Sequence, residues 1–430
     1  MLSNRDQLER IYRTRLVAVV AAVVGMLSAQ AGQADEDSAD ASTRKVVRPA
    51  AAVSSDVNRC ERLNVGPTGM VSIPVEIFGK QTEFVLCTGI RYGVCLPHFR
   101  EQLAALPRPE HEIHPASTLN VEFFPAPEIK IGQKYPELFR STYGIAVAAK
   151  GSRLFHQYRQ PGDGVLGMDY LQTKVLRINA DARIAELKSF KTMDVDDSTL
   201  VEKMSFVSGV PRILLGLSTE GFDGFSIESA GQLRVLLKRD VFNKLLKKHK
   251  IAIDFPATAY NKESLGRQGI LESIDLGPYR FCNVPVEEGP LNSVGAAILG
   301  RFDAEYDFSN RIAYLKPGSR MHDPAPRPRI GCRFYPLGEA TMICQVVAGS
   351  PAEAAGLRVG DSLRSVDGIS IADLSRPDLE AQLSVPGAVR KLMVERDQGQ
   401  VDIEVTLAND PDPFPTTEQS APTSEFDFDK

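Results

Sequence analysis

The sequence predicts a mainly β protein: two pseudo-symmetric β-barrel lobes followed by a small α+β domain. Two observations lead to this fold class. A strand that ends in a tight turn occurs twice within residues 59–315, and each time an apolar strand ending in glycine follows at a similar distance. Farther along, the string GSPAEAAGLRVGD at 349–361 has the proline and glycine spacing of a short helix between two turns.

Residues 1–34 have the composition of a secretory signal peptide. Four arginines precede an apolar run at 16–27, and small residues follow at 28–31. The run is shorter than the roughly 20 residues that span a bilayer. We therefore expect an exported chain, periplasmic or extracellular, with no stable membrane insertion after signal cleavage. An uncleaved N-terminal anchor is the alternative. Residues 35–58 are polar and rich in alanine and serine, which predicts a flexible linker.

Composition argues against several classes of partner. A formal net charge of -5 does not favour nucleic acid or an anionic membrane surface. His111 and His114 are one residue too close for the HExxH spacing of a zinc helix, and the cysteines form no CxxC pair. We expect no metal and no other cofactor. The sequence leaves open how the six cysteines pair: Cys60, Cys87, Cys95, Cys282, Cys332 and Cys344.

The strand-turn pattern of the body has two copies. The first is FVLCTG, with Cys87 at its turn, and it is followed by GVLG, which ends at Gly167. The second is FSIESAG, with Glu228 at its turn, and it is followed by AILG, which ends at Gly300. The intervals between turn and glycine are similar in the two copies. Such self-similarity indicates duplication of one structural unit.

A helical pattern follows each turn. It begins nine residues on, at Leu96 in the first copy and at Leu237 in the second. We expect lobe 1 over 59–195 and lobe 2 over 196–315. Residues 316–328 are rich in proline and charge, which helices and central strands tolerate poorly, so this stretch is predicted to be a linker.

The paired motifs resemble the retropepsin-like aspartic proteases in their bilobal form. In that family each turn carries Asp-Thr/Ser-Gly, and the two aspartates share one proton. One acts as base on a water while the other donates to the scissile carbonyl. The resemblance implies that the catalytic positions are Cys87 and Glu228, with Thr88, Gly89 and Ser229 completing the turns. It also implies that the later apolar stretch ending in glycine packs behind each turn.

This chain departs from the family at both acids. Lobe 1 has Cys87 instead of Asp, and lobe 2 has Glu228, followed by Ala230 with Gly231 one position late. A thiol, with an ordinary pKa near 8.5, does not replace a second carboxylic acid. Glutamate carries its carboxylate one methylene farther out, and a misplacement of about 1 Å costs on the order of a hundredfold in rate. We expect aspartic-protease catalysis to be lost.

The sequence leaves three roles open for Cys87. It is a nucleophile if His98 or His156 supplies a base, since a reactive cysteine must form thiolate. It forms a disulfide if Cys95 lies close enough. Otherwise it is a small buried thiol that fills the former aspartate position.

The C-terminal motifs resemble a PDZ domain of the bacterial protease type, over residues 329–408. We expect a short helix that opens at Ser350 and ends at Gly356, a turn at Gly360-Asp361, and a strand over 362–366. Asp367-Gly368 is a dipeptide typical of a hairpin turn. The last stretch, 409–430, is acidic and proline-rich, which predicts disorder.

PDZ domains bind a C-terminal peptide as an added strand, and backbone N–H groups of one loop capture its carboxylate. The resemblance assigns that loop to Arg329, Ile330, Gly331 and Cys332, and makes polypeptide or protein C-termini the expected partners. The alternative is a groove that is filled internally or packs on the body.

A hairpin centred on Gly338 would place Cys332 opposite Cys344, either as a disulfide or as a reduced pair.

The expected function is binding of polypeptide, in the cleft and in the PDZ groove, without catalysis. The alternatives are an active aspartic-type endopeptidase with an altered pair of catalytic groups, and a scaffold whose PDZ domain recruits another protease.

Overall fold

The computed structural model describes residues 60–65, 70–107, 121–141, 144–148, 162–218, 220–230, 233–260, 263–337, 340–374, 376–396 and 399–409. Two compact units divide the chain, Met1–Val57 and Asn58–Lys430, and all described residues lie in the second. The predicted signal peptide, the linker over 35–58 and the predicted tail from residue 410 onward lie outside the described residues.

The first part of the body consists of short strands with two small helices. Its strands are β1 (Cys60–Val65), β2 (Val71–Ile77), β3 (Lys80–Leu86), β4 (Gly93–Cys95), β5 (Val121–Phe124), β6 (Ile129–Ile131), β7 (Glu137–Phe139), β8 (Ile145–Ala148), β9 (Gly164–Leu166), β10 (Val175–Asn179) and β11 (Ile184–Lys188). Its helices are a 3-10 turn (Pro97–Phe99), α1 (Arg100–Ala104) and α2 (Met168–Leu171). The helical pattern predicted after the first turn is confirmed, because Leu96, Phe99 and Leu103 are all buried there.

The second part of the body has longer strands and one longer helix. Its strands are β12 (Leu200–Lys203), β13 (Ser205–Val207), β14 (Val210–Leu217), β15 (Phe222–Ile227), β16 (Val235–Lys238), β17 (Ile251–Phe255), β18 (Thr258–Tyr260), β19 (Glu263–Leu265), β20 (Gln268–Leu276), β21 (Tyr279–Gly289), β22 (Ser293–Val294), β23 (Phe302–Asp307) and β24 (Ile312–Pro317). Helix α3 (Arg239–Lys247) buries Phe242 and Leu245, as the second helical pattern predicts. The predicted start at Leu237 is wrong, because Leu237 belongs to β16 and the helix begins two residues later. A 3-10 turn covers Leu299–Arg301.

These strands form two large sheets. A 14-stranded sheet has the order β12-β24-β23-β10-β11-β1-β2-β3-β9-β4-β8-β5, with β6 beside β2 and β7 beside β6. Its first six strands come equally from both predicted lobes, so this part of the sheet joins them. An eight-stranded sheet has the order β13-β14-β15-β22-β16-β21-β20-β17. One apolar core runs through both sheets. The chain is mainly β, as expected, while equivalence of two barrels stays a prediction.

The C-terminal part has its own sheet and core. It contains β25 (Cys332–Leu337), β26 (Ala340–Val346), β27 (Ser362–Val366), β28 (Ile369–Ser370), β29 (Val389–Arg396) and β30 (Gly399–Thr406), with α4 (Pro351–Ala354), a 3-10 turn (Ile371–Asp373) and α5 (Arg376–Gln382). The sheet order is β25-β26-β27-β29-β30, with β28 beside β27. Its core is a cluster separate from that of the body, with Ile330, Leu363 and Leu383 among its members.

Local rules explain the elements predicted here. Ser350 caps α4, since its side chain accepts a hydrogen bond from the N–H of Glu353, and Pro351 takes the first helical position. Gly356 follows the helix at φ +82°, where glycine carries no steric penalty. Asp367 and Gly368 both have positive φ and join β27 to β28, as a two-residue hairpin turn requires.

In the part of the chain that the structure describes, no helix combines the length and the apolar composition needed to cross a membrane.

Candidate functional site

Two parallel strand pairs position the two predicted turns. Strand β3 pairs with β9, and beyond its end the N–H of Cys87 donates to the carbonyl of Leu166 at 3.0 Å. Strand β15 pairs in parallel with β22, and the N–H of Glu228 donates to the carbonyl of Val294 at 2.9 Å. Each turn therefore leaves its strand beside a second apolar strand, at equivalent backbone positions.

The second of these pairs corrects one expectation. The sequence pattern predicts that the apolar residues before Gly300 pack behind the Glu228 turn, but the strand bonded to that turn ends at Val294, just before Gly295. Gly300 lies in the 3-10 turn that follows. Both stretches end in an apolar residue and glycine, so spacing alone did not separate them.

Four hydrogen bonds join the two turns. The hydroxyl of Thr88 donates to the carbonyl of Ile227 at 2.7 Å and accepts the N–H of Ser229 at 3.1 Å. The hydroxyl of Ser229 donates to the carbonyl of Leu86 at 2.8 Å and accepts the N–H of Thr88 at 3.1 Å. Thr88 is fully buried and Ser229 is 8% exposed, so water does not compete for these groups. The structure thus brings together the turns that the sequence pairs.

The side chains of Cys87 and Glu228 meet directly. The Cys87 thiol donates to Oε1 of Glu228 at an Sγ–O distance of 3.0 Å, and the N–H of Ala230 donates to the same oxygen at 3.0 Å. The other oxygen, Oε2, lies over Gly89, where an added Cβ would be only 2.2 Å from it. The longer glutamate side chain therefore spans the space between the two turns.

The surroundings keep this pair largely away from water. Cys87 is fully buried in a small apolar cluster that also contains Val85, Val165 and Ala230. A cavity of about 30 Å³ lies on the other side of Glu228, large enough for one or two water molecules. Burial raises the pKa of Glu228 above its ordinary value, and the hydrogen bonds from the Cys87 thiol and the Ala230 N–H oppose that rise.

The structure favours the buried-thiol role for Cys87. His98 contacts Lys80 and Asp163 instead, with its ring nitrogen 3.5 Å from the Asp163 carboxylate, and its pKa is lowered mainly by burial. The second candidate base, at position 156, lies outside the described residues. Cys95 is a free, fully buried thiol, so the disulfide considered for Cys87 is not formed. All six cysteines lie within the described ranges, and none of them forms a disulfide.

The predicted carboxylate-binding loop is packed tightly in the C-terminal domain. Gly331 has φ +75°, and a Cβ there would lie 2.2 Å from Cβ of Ser350. The Gly331 backbone therefore lies close to Ser350, the N-cap residue of α4, and this contact by itself requires glycine at position 331. The carbonyl of Ile330 accepts the N–H of Ala352 at 2.9 Å, and the N–H of Arg329 donates to the carbonyl of Leu383, beyond α5, at 2.7 Å. The loop is therefore held against both helices.

The cysteine pairing expected in the β25–β26 hairpin is wrong. Cys332 lies opposite Val346, and Arg333 opposite Gln345, after which the register shifts by one residue. Cys344 falls in that bulge, and its thiol donates to the carbonyl of Arg333 at 3.3 Å. The register pairs Leu337 with Ala340, which shifts each partner by one residue from a turn centred on Gly338, and the bulge shifts the partner of Cys332 by one more.

Contacts between the C-terminal domain and the body involve residues that the sequence did not single out. Glu287, on β21 of the body, accepts hydrogen bonds from Arg333 of β25 at 3.2 Å and from Arg376 of α5 at 3.4 Å. Arg333 also donates to the carbonyl of Gly266 at 2.6 Å. Because 46 and 89 residues separate these partners, no local pattern could have revealed them.

Within the ranges that the structure describes, no group of three or more His, Cys, Asp or Glu side chains is placed to hold a metal ion.

Comparison with known proteins identifies the C-terminal domain. A family model described as a PDZ domain matches residues 342–396, which include β27, β28 and β29 and most of β26. The protein is thus a mainly β protein that carries a C-terminal PDZ domain. Domains of this class bind peptide or protein C-termini.

A similar solved structure is titled photosystem II D1 C-terminal processing protease, with 19% sequence identity and a TM-score of 0.19. The match covers 21% of this chain and 26% of that chain, so it spans about a quarter of the solved protease. At this TM-score, the likeness says nothing about the rest of the fold. No curated protein matches the chain.

Proposed function

We propose that this protein binds polypeptide C-termini through its PDZ domain and does not cleave them. The PDZ domain is the observation that supports binding. The body would then be a retropepsin-like cleft that holds extended polypeptide without hydrolysing it. Export to the periplasm or the extracellular space belongs to the same proposal and is supported by the composition of residues 1–34.

The geometry of the two turns supports the absence of catalysis. An aspartic-type mechanism needs a water between two acids that share a proton. Here the carboxylate of Glu228 lies between the turns, 3.0 Å from the Cys87 sulfur and directly over Gly89. It therefore fills the space between the turns in which that water would bind. The Thr88–Ser229 hydrogen bonds that join the turns are still present.

Peptide binding is tested with fluorescein-labelled peptides whose last residue is apolar, each made with a free carboxylate and as the C-terminal amide. Fluorescence anisotropy should detect binding of the free acids and a loss of at least tenfold for the amides. Equal binding of both forms, or no binding of either, would contradict capture of a C-terminal carboxylate.

Absence of catalysis is tested by incubating the protein with a proteome-derived peptide library from pH 3 to 8 and reading new termini by mass spectrometry. We expect no new termini from the natural sequence. Cleavage by a double variant, Cys87→Asp with Glu228→Asp, would support a cleft that lost only its acids. Cleavage by the natural sequence that disappears in Glu228→Gln and in Cys87→Ala would instead establish a peptidase with an altered pair.

That second function, an active endopeptidase, has one observation in its favour. Cys87 and Glu228 together hold one exchangeable proton when the thiol is neutral and the carboxylate is ionised, as a pair of aspartates does. Because burial raises the pKa of Glu228, the ionised carboxylate exists only above this raised pKa. Activity of this kind would therefore be lost as the pH falls through that pKa, which the same pH series tests.

A further inference from the structure

One carboxylate of the body binds to both β25, the terminal strand of the PDZ sheet, and α5. The region between these two elements is called the groove. Arg333 is on β25 and Arg376 begins α5, yet both bind Glu287 of β21. The Glu287 and Arg333 side chains are each only 5% exposed, so this ion pair is shielded from water. Arg376, in the second pair, is half-buried. Buried ion pairs are retained where their geometry is good and are costly to break from one side.

The ion pairs extend into a larger cluster that has more positive than negative groups. Arg376 donates to Glu380 at 3.0 Å, and Glu380 lies 3.9 Å from Nε of Arg234, on the body. Among the described residues, these contacts link three guanidinium groups to two carboxylates, and the nearby pair of Asp254 and Arg327 adds one charge of each sign. Arg234 is 5% exposed, and its Nε and Nη1 make no hydrogen bond. Unpaired buried charge is unfavourable, so one more anionic partner would stabilise the cluster.

The free edge of the PDZ sheet indicates the same position for a ligand. Among the described strands of its sheet, β25 is terminal and pairs only with β26. A peptide that adds to a PDZ sheet pairs with such an edge through its backbone, and its side chains select the sequence. A peptide on β25 would run between Arg333 and Arg376, where Glu287 now binds. An acidic peptide side chain would take the place of Glu287 there, whereas a lysine would meet the guanidinium groups of Arg333 and Arg376.

We propose that the PDZ groove selects C-terminal peptides with an acidic side chain, and that Glu287 is their internal competitor. This inference depends on the proposed peptide binding. In the free protein Glu287 pairs the two arginines and holds the groove against the body. An acidic ligand binds both arginines in its place and releases the domain from the body.

The experiment uses the full chain and labelled octapeptides that end in valine. One set carries a single glutamate at each of the four positions before the valine, and matched sets carry glutamine or lysine. Anisotropy gives the dissociation constants for the natural sequence, for Glu287→Gln and for Arg376→Gln. Circular dichroism confirms that each variant is folded.

We expect one glutamate position to bind about tenfold tighter than its glutamine match, and Glu287→Gln to bind every free-acid peptide about tenfold tighter, as is typical of coupling between two competing contacts. Arg376→Gln should remove the glutamate preference while leaving the glutamine peptides bound. If Glu287→Gln does not fold, Arg376→Gln decides acidic selection by itself. Glu287→Asp, which keeps the charge but shortens the side chain, then replaces Glu287→Gln as the test of competition and should also bind the peptides tighter.

Four outcomes would overturn the inference. If peptides bind without any glutamate preference, or if Arg376→Gln keeps that preference, acidic selection is wrong and the proposed peptide binding still stands. If the preference is real but a folded Glu287→Gln binds no tighter, Glu287 is not a competitor. If no free-acid peptide binds any of the three proteins, the proposed function itself fails.

Discussion

The hydrogen bonds between the two turns allow a quantitative test of the site. Thr88→Val removes one hydroxyl and keeps nearly the same shape. It leaves the carbonyl of Ile227 and the N–H of Ser229 unpaired, and both belong to buried residues. Each buried group that loses its partner costs about 1–3 kcal/mol. We therefore expect the free energy of unfolding to fall by about 2–4 kcal/mol.

The reciprocal variant, Ser229→Ala, should cost a similar amount, because it leaves the carbonyl of Leu86 and the N–H of Thr88 unpaired. The two effects should not add. Once one hydroxyl is gone the turns separate slightly, water enters, and the second loss is smaller, so the double variant should be more stable than the sum predicts by about 1 kcal/mol or more.

The assay is urea unfolding followed by far-ultraviolet circular dichroism, since the chain has no tryptophan. Thr406→Val, the same substitution at an exposed position on β30, is the matched control and should stay within about 0.5 kcal/mol of the natural sequence. A loss for Thr88→Val that is no larger than the loss for this control, or strict additivity in the double variant, would refute the reasoning that these hydroxyls hold the turns together.

Three further predictions concern other parts of the chain. Gly331→Ala should lower the free energy of unfolding by about 2–4 kcal/mol, because the added Cβ clashes with Ser350 and the backbone φ is positive. Gly349→Ala, also at positive φ but with nothing within 4 Å of the added Cβ, should lower it by only about 1 kcal/mol. Equal losses for the two variants would contradict the clash with Ser350. The pKa of Glu228 is raised in the folded protein, so the native state keeps this proton to a higher pH than the unfolded state does. The free energy of unfolding should therefore fall as the pH rises from about 4.3, the ordinary pKa of glutamate, through the raised pKa. Urea unfolding of Glu228→Gln over the same pH range should not show this decrease. A maleimide should label only the two partly exposed thiols of the native protein, those of Cys60 and Cys282, and fast labelling of any of the four buried thiols would contradict the packing.

Local chemistry made much of the fold predictable. The strand before Cys87 was readable because its last three residues are apolar and all of them enter the core. The helix at Ser350 was readable because a capping hydroxyl, a proline and a glycine at positive φ each act within a few residues. The two turns could be paired because the same short pattern occurs twice in the chain.

Details of register were not predictable in this way. Two stretches after Glu228 end in an apolar residue and glycine, and only strand pairing selects the one that ends at Gly295. In the hairpin containing Cys332, the turn is offset from Gly338 and a bulge follows, and together they move the partner of Cys332 by two residues, from Cys344 to Val346. In both cases the choice depends on hydrogen bonds between strands, and residue spacing does not record them.

The sequence by itself determined the mainly β class, the PDZ domain and the absence of aspartate from both turns, because each of these depends on short local runs of residues. Only the tertiary structure decided that Glu228 reaches across to Cys87 and that Glu287 pairs with Arg333 and Arg376. These contacts join residues that are 46 to 141 positions apart. Their energies depend on burial and on distances of about 3 Å, and both quantities arise only when the chain has folded.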